Sequence, residues 1–362
     1  MKNKRVLMIA GGTGGHIFPA LAVARALRRE GFDLQWLGSR VGMESQLVGS
    51  EFPLSTISIK AIRGKGLVTK LLSPVRLLQA TWQAWRTIKK LNPDVVVGMG
   101  GFVSGPGGVA ARLSRKPLII HEQNAVAGMT NRLLAKSASA VLAGFPNAFP
   151  KNIHANTIGN PVRLAISHIA KPSERLKNRE GALRVLVLGG SQGARAINEM
   201  LPRVFADYPN KEVLSLWHQT GRLDFEKVQK AYCSMGAQVT VEAFIDDIAE
   251  AYAWADLVIC RAGALTVSEV AAAGLPSILV PFPYAVDDHQ FYNGAYLSNA
   301  GAAELIRQND LTDDVLTSLL QKYEKNRPLL IDMAEKARTL ARPDALSAIV
   351  KLCEKLANGQ NK

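Results

Sequence analysis

Glu269 and His16 each lie just past a glycine turn, the first in Arg261-Ala-Gly-Ala-Leu-Thr-Val-Ser-Glu269 and the second in Gly11-Gly-Thr-Gly-Gly-His16. In both places an apolar run comes before the glycines and an apolar helical pattern after them. Each therefore reads as a strand, a tight turn and a helix N-terminus. First-turn amides have no intrahelical partner and carry the positive end of the helix dipole, so those near Gly263 to Thr266 suit phosphate or pyrophosphate. Glu269, one turn further on, would repel phosphate but can accept two hydroxyl protons from a ribose. The alternative is a buried βα unit whose glycines serve only close packing. His16 sits at a strand's end, where side chains reach a cleft, and an imidazole pKa near about 6.5 suits a general base. Its alternative is a structural hydrogen bond to a neighbouring loop.

Other clusters narrow the chemistry. His121-Glu122-Gln123-Asn124 follows a strand, so Glu122 and Asn124 can bind sugar hydroxyls or simply fix a turn. Gly189-Gly-Ser-Gln-Gly193 matches G-x-S-x-G between a strand and a helix, as a hydrolase elbow does, and Asp287, Asp288 and His289 follow in triad order. Against a hydrolase, this elbow would open a second complete domain, and a hydroxyl at a glycine-rich helix N-terminus is equally a phosphate ligand. The opening loop does not complete G-x-G-x-x-G, because the third position is Ile17, and Leu37-Gly-Ser-Arg40 offers no acid for a ribose. That argues against a nicotinamide cofactor. No G-x-x-x-x-G-K-[ST], no Asp-x-Asp and no metal-ligand spacing occurs, so neither an ATPase phosphate loop nor a bound metal is expected.

Composition sets the frame for these loops. A chain of 362 residues exceeds what one core usually serves, so two domains are expected. The excess of 44 basic over 30 acidic residues, a net charge of +14, favours an anionic partner. With no zinc-finger spacing and no aromatic RNP-like pattern, nucleic acid is not expected, and membrane surface and phosphorylated substrates lead. Three scattered cysteines without C-x-x-C suit a reducing compartment. The apolar run Val6 to Ala10 is too short for a signal-peptide core. The uncharged stretches Val95 to Ala111 and Val270 to Val286 are broken by glycine and proline, so neither reads as a membrane span. The expectation is a cytosolic protein, at most peripheral to a membrane.

Strands are expected at Arg5 to Ala10, Asp33 to Leu37, Asp94 to Gly98, Pro117 to His121 and Ala140 to Ala143, alternating with helices. From Arg184 the pattern begins again, with strands near Val213 to Gln219, Val239 to Ala243, Leu257 to Cys260, Ser277 to Val280 and Ala303 to Ile306. Near-continuous apolar strands alternating with helices imply parallel sheets covered on both faces. The class is α/β: two doubly wound Rossmann-like domains joined by polar sequence around Ile158 to Gly181, their glycine loops at the carboxyl ends of the strands.

Six motifs in order carry a resemblance: Gly11-Gly-Thr-Gly-Gly-His-Ile-Phe-Pro19, Gly98-Met-Gly-Gly-Phe-Val-Ser-Gly-Pro106, His121-Glu-Gln-Asn124, Gly159-Asn-Pro-Val-Arg163, Gly189-Gly-Ser-Gln-Gly193 and Arg261 to Glu269. Over essentially its whole length the chain resembles the MurG family, bacterial enzymes that transfer GlcNAc from UDP-GlcNAc to lipid I to make lipid II for peptidoglycan. The resemblance implies a GT-B fold with two domains facing across a cleft. It implies an N-terminal acceptor and membrane-docking domain over 1–160, a UDP-GlcNAc-binding domain over 161–342 and a C-terminal helix over 343–362 that can return to the first domain. No cofactor is implied. Matching donor-site positions are Thr13, Gly14, Gly15, Asn124, Arg163, Ser191, Ile245, Ala264, Leu265, Thr266, Val267, Ser268, Glu269 and Gln290, with backbone groups of Ile245 against the uracil. His16 is the first candidate base and Glu122 the second. Phe102 stands where the family more often has Tyr, and the stretch Pro283 to His289 looks longer than the family's. A UDP-GlcNAc 2-epimerase of similar fold is the nearest alternative.

A lipid-anchored acceptor requires docking on an anionic membrane surface, expected at the cytoplasmic face of the inner membrane. The helix from Pro74 to Leu91 is suited to it. At roughly 100° per residue, Leu77, Thr81, Ala84, Ile88 and Leu91 share a side that can pack on the domain. Val75, Leu78, Trp82 and Trp85 form an adjoining side with Arg86 and Lys89 among them. The preceding loop adds Arg63, Lys65 and Lys70 with Leu67, Leu71 and Leu72. The alternative is that these apolar residues are core and the basic ones merely solvated.

Overall fold

The computed structural model describes residues 4–40, 42–59, 73–190, 193–233 and 238–360, and of Ser73 only the backbone. The chain forms two compact units, Met1–Pro161 with Pro343–Lys362, and Val162–Arg342. In the first, the order is β1 (Arg5–Ile9), α1 (Gly14–Arg29), β2 (Asp33–Ser39), α2 (Glu44–Leu47), β3 (Leu54–Ile57), α3 (Ser73–Leu91), β4 (Val95–Gly98), α4 (Ser104–Leu113), β5 (Leu118–Glu122), α5 (Met129–Ala135), β6 (Ala140–Ala143) and β7 (Asn156–Thr157). The second runs α6 (Leu164–Ser167), α7 (Pro172–Arg175), β8 (Leu183–Leu188), α8 (Arg195–Ala206), β9 (Leu214–Gln219), α9 (Phe225–Tyr232), β10 (Val239–Glu242) and α10 (Ile248–Trp254). It continues through β11 (Leu257–Cys260), α11 (Ala264–Ala273), β12 (Ser277–Leu279), α12 (His289–Ser298), β13 (Ala303–Leu305), α13 (Asp313–Lys325) and α14 (Arg327–Thr339); α15 (Ala345–Ala357) returns to the first unit.

Both sheets are parallel throughout the described pairings, in the orders β3-β2-β1-β4-β5-β6-β7 and β10-β9-β8-β11-β12-β13. Their strands are apolar on both faces because both faces are covered. Leu7 and Ile9 enter a core on one side of the first sheet and Val6 and Met8 a core on the other, all four fully buried. Each such side chain contributes about 1.5–3 kcal/mol relative to exposure. The direction of winding reverses between β1 and β4 in one sheet and between β8 and β11 in the other. The glycine loops therefore leave the carboxyl ends of strands that flank a switch point, where open α/β sheets bind ligands.

Two edge strands depart from the sequence reading. β3 and β7 are additional edge strands, each pairing with one neighbour. The segment from Val162 is part of the second unit: Arg175 in α7 donates to the carbonyls of Ala255, Ala273 and Gly274, tying a region read as a polar connection to the ends of α10 and α11. α15 supplies Ile349, Cys353 and Leu356 to the core around α1, and Lys4 Nζ donates to the carbonyl of Ala357 at 2.8 Å.

On α3 the buried stripe is Ala80, Ala84 and Ile88. Leu77, expected on that side, is 43% exposed. α3 lies against α4, and small residues at four-residue spacing let two helices approach closely. Trp85 packs partly buried against the same core, whereas Leu78 and Trp82 are exposed. Arg63, Lys65, Leu67, Lys70, Leu71 and Leu72 lie outside the described residues.

Candidate active site

In the first unit the site is built from the loops after β1, β4 and β5. Thr13 is the exposed N-cap of α1, with extended backbone, and its carbonyl accepts from the His16 and Ile17 amides. The Gly14 and Gly15 amides open the helix and, as first-turn donors, have no intrahelical acceptor. His16 is half-buried, and its Nδ1 is 3.2 Å from Gln123 Oε1. Gly100, at φ +91°, makes this possible: a Cβ there would come within 2.6 Å of His16 Nδ1. Phe102 from the same loop has its ring against Gly12 and packs partly on the core.

Glu122 is buried and fully engaged. One carboxylate oxygen accepts from the Asn124 amide and from Asn124 Nδ2, and the other from the Gly128 amide and from Asn131 Nδ2. Four donors thus hold the carboxylate within the turn after β5. Asn124, in turn, is held by Glu122.

In the second unit, Gly263 caps α11 with extended backbone, so the Ala264, Leu265 and Thr266 amides form its first turn. Val267 and Ala264 are buried, and Ser268 Oγ donates back to the Ala264 carbonyl at 2.9 Å. The side chain of Val267 thus serves packing. Glu269 has a carboxylate only 14% exposed. Its Oε1 accepts from Arg163 Nη2 at 2.9 Å and Nε at 3.2 Å, and its Oε2 accepts from the Tyr252 hydroxyl at 3.3 Å. Burial pushes the Glu269 pKa up, and the Arg163 guanidinium and the Tyr252 hydroxyl oppose the shift.

Ile245 is buried, and its amide donates to Gln219 Oε1 at 3.0 Å. Gln290 Oε1 accepts from the Phe282 amide at 2.9 Å. Ser191 lies outside the described residues. Asp288 pairs with Arg307 at 2.8 Å and His289 Nδ1 bonds the Val286 carbonyl, so both have local structural partners in place of triad roles.

Tyr252, Gln219 and Gln123 escaped the sequence reading. Tyr252 lies seventeen residues from the Glu269 it supports, and only its place on the inner face of α10 could have flagged it. Gln219 and Gln123 are polar residues at or just past the end of an apolar strand, a recognisable signal.

Residues 6–143 match the Glycosyltransferase family 28 N-terminal domain and residues 184–349 the Glycosyltransferase family 28 C-terminal domain. The chain is 52% identical over 351 residues to a UDP-N-acetylglucosamine–N-acetylmuramyl-(pentapeptide) pyrophosphoryl-undecaprenol N-acetylglucosamine transferase of Coxiella burnetii, covering 97% of this chain and 98% of that one. The crystal structure of Acinetobacter baumannii MurG superposes with a TM-score of 0.86 at 43% identity, covering 97% and 99% of the two chains. A UDP-GlcNAc 2-epimerase from Neisseria meningitidis shares the fold alone, at 13% identity and a TM-score of 0.64 over 97% of this chain and all of that one. Identity of this extent, on a fold of two doubly wound sheets with the site loops at both switch points, places the chain in the MurG family of GT-B glycosyltransferases.

Proposed function

We propose that this chain transfers GlcNAc from UDP-GlcNAc to the C4 hydroxyl of MurNAc in undecaprenyl-pyrophosphoryl-MurNAc-pentapeptide, lipid I, giving lipid II and UDP. The observation that carries the reading is full-length identity to transferases bearing this name. The acceptor oxygen attacks the anomeric carbon as the bond to UDP breaks, with inversion at that carbon. Positive charge develops on the sugar ring and negative charge on the departing diphosphate. First-turn amides of α11, and those opening α8 after Gly193, suit that negative charge through their dipoles and free N–H groups. Glu269 takes the ribose hydroxyls, kept ionised by Arg163. His16 receives the acceptor's proton; Glu122, already holding four donors, supports the loop that carries Asn124.

The acceptor's lipid calls for a peripheral membrane contact on the cytoplasmic face. Supporting this, α3 exposes Val75, Leu78 and Trp82 beside Arg86, whose guanidinium lies 4.9 Å over the Trp82 ring. No helix among the described residues is long and apolar enough to cross a membrane. The direct test supplies UDP-GlcNAc and a lipid I analogue and follows the lipid-linked disaccharide and UDP. Epimerised nucleotide sugar without any disaccharide would assign the chain to the other activity.

A further inference from the structure

The polar groups behind His16 form a chain whose donors and acceptors can be assigned one after another. The carbonyl oxygen of Gly159 carries no proton, so His121 Nε2, 2.9 Å away, must be the donor. His121 is fully buried and burial pushes its pKa down, so the ring is neutral and its Nδ1 is an acceptor. Gln123 Nε2 donates to that nitrogen at 3.2 Å and to the Met99 carbonyl at 3.0 Å, which uses both amide protons and fixes the carboxamide's orientation. Its Oε1 is therefore the atom turned toward His16. An amide oxygen only accepts, so His16 Nδ1 carries the proton that bridges the 3.2 Å between them. The lone pair of His16 then resides on Nε2.

We infer that Gln123, backed by His121 and the Gly159 carbonyl, is a positioning residue that sets the tautomer of His16 and leaves Nε2 bare to take the acceptor's proton. This rests on the reading of His16 as the base. A histidine side chain in water favours the opposite tautomer, with the proton on Nε2, in which the nitrogen needed as base is blocked. Gln123 is 1% exposed and held at both amide protons, so it imposes the tautomer without swinging away. At Gly100 the absent Cβ, which would lie 2.6 Å from His16 Nδ1 and 3.4 Å from Gln123 Oε1, leaves room for this hydrogen bond and no larger residue. A partner behind the imidazole that fixes which nitrogen is bare is how other His-dependent enzymes keep the base competent.

The test uses the full chain labelled with 15N at histidine, the His16 signals being assigned by their loss in His16→Gln. The expected result is a protonated Nδ1 and a bare Nε2 in the unsubstituted protein. In Gln123→Met, similar in size but without an acceptor oxygen, His16 should shift toward the Nε2–H form. Its kcat should fall about tenfold or more, with KM for UDP-GlcNAc within about threefold. Gln123→Glu keeps an acceptor for Nδ1–H and should retain the tautomer, while its carboxylate moves the acid limb of kcat to higher pH. An Nε2–H ring in the unsubstituted protein, or a Gln123→Met variant with unchanged kcat, overturns the proposal. Should Gln123→Met fail to fold, the tautomer of the unsubstituted protein still decides. His16→Ala separates the underlying reading: full activity there removes His16 as the base, whatever the NMR says of the hydrogen-bond chain.

Discussion

The proposed role of Glu269 needs a negative charge where burial resists one. Burial raises its pKa, and the opposing groups are Arg163, on Oε1 at 2.9 Å, and the Tyr252 hydroxyl, on Oε2. With the proposed role, in which the ionised form accepts ribose hydroxyls, donor binding should be complete above this raised pKa and lost as the pH falls through it. Arg163→Ala removes an influence that lowers the pKa, so the acid limb of kcat/KM for UDP-GlcNAc should move to higher pH. A limb that stays in place, or moves down, would show that Arg163 does not govern this carboxylate. Glu269→Ala removes the acceptor altogether. A charge-assisted hydrogen bond is worth about 1.5–3 kcal/mol, so the donor KM should rise roughly tenfold or more; an unchanged KM takes Glu269 out of the site. For His16→Ala the expected loss is about 10²–10⁴ in kcat at an unchanged melting temperature, whereas a structural histidine would reverse that pattern.

Within the second unit, β9, α8 and α9 meet at one buried histidine. His218 Nε2 lies 3.1 Å from Asn198 Oδ1 and Nδ1 lies 3.2 Å from the Tyr232 hydroxyl, so the neutral ring joins all three elements. Burial pushes its pKa down to about 3. Between that value and the ordinary histidine range the unfolded chain binds a proton that the folded one refuses. Stability is then fully present above the ordinary value and is lost as the pH falls, by up to about 1.4 kcal/mol per pH unit for one such group. His218→Gln should flatten the fall in melting temperature between neutral and acidic pH without abolishing it, because His121 is buried and shifted in the same direction; an unaltered slope removes His218 as its source. These elements were legible because doubly covered parallel strands must be apolar along their whole length, so Leu257 to Cys260 and Val95 to Gly98 announce themselves. Strands β3 and β7 do not: β3 buries a single residue fully and β7 is two exposed residues long, so neither carries an apolar run. In α3 the amphipathic period and most of its phase were readable, since Ala84 and Ile88 are buried and Leu91 packs on the core as expected; only in the first turns does the buried position fall on Ala80 and not Leu77. Of the candidate site, the glycine loops and Glu269 stand out in the sequence and Gln123 carries the weaker signal of a polar residue just past an apolar strand, whereas Tyr252 does not stand out, because its partner Glu269 lies on another helix.

The whole molecule carries a net charge of +14 and has an apolar helix face with cations beside it. Along α3, Val75, Leu77, Leu78 and Trp82 are exposed, and Arg76, Arg86, Lys89 and Lys90 accompany them. Arg86 and Lys89 lie over the rings of Trp82 and Trp85 at 4.9 and 5.9 Å. Indole rings with adjacent cations suit the headgroup layer, where the apolar body is buried and the charge remains in water. Each basic residue near an anionic surface adds about 1 kcal/mol, within a Debye length of about 8 Å at physiological salt. Sedimentation with anionic vesicles should therefore be strong at low salt and weaken as salt rises, while neutral vesicles bind far less. Leu78→Ser with Trp82→Ser removes exposed side chains and spares the core-packed Trp85, so the variant should fold, bind UDP-GlcNAc and lose the vesicles. Arg86→Gln with Lys89→Gln should weaken anionic-vesicle binding by about 2 kcal/mol, roughly thirtyfold, and reduce its salt dependence. Equal sedimentation of the Leu78/Trp82 variant and the unsubstituted protein would mean that docking uses another face; loss of binding with donor affinity intact would assign it to α3.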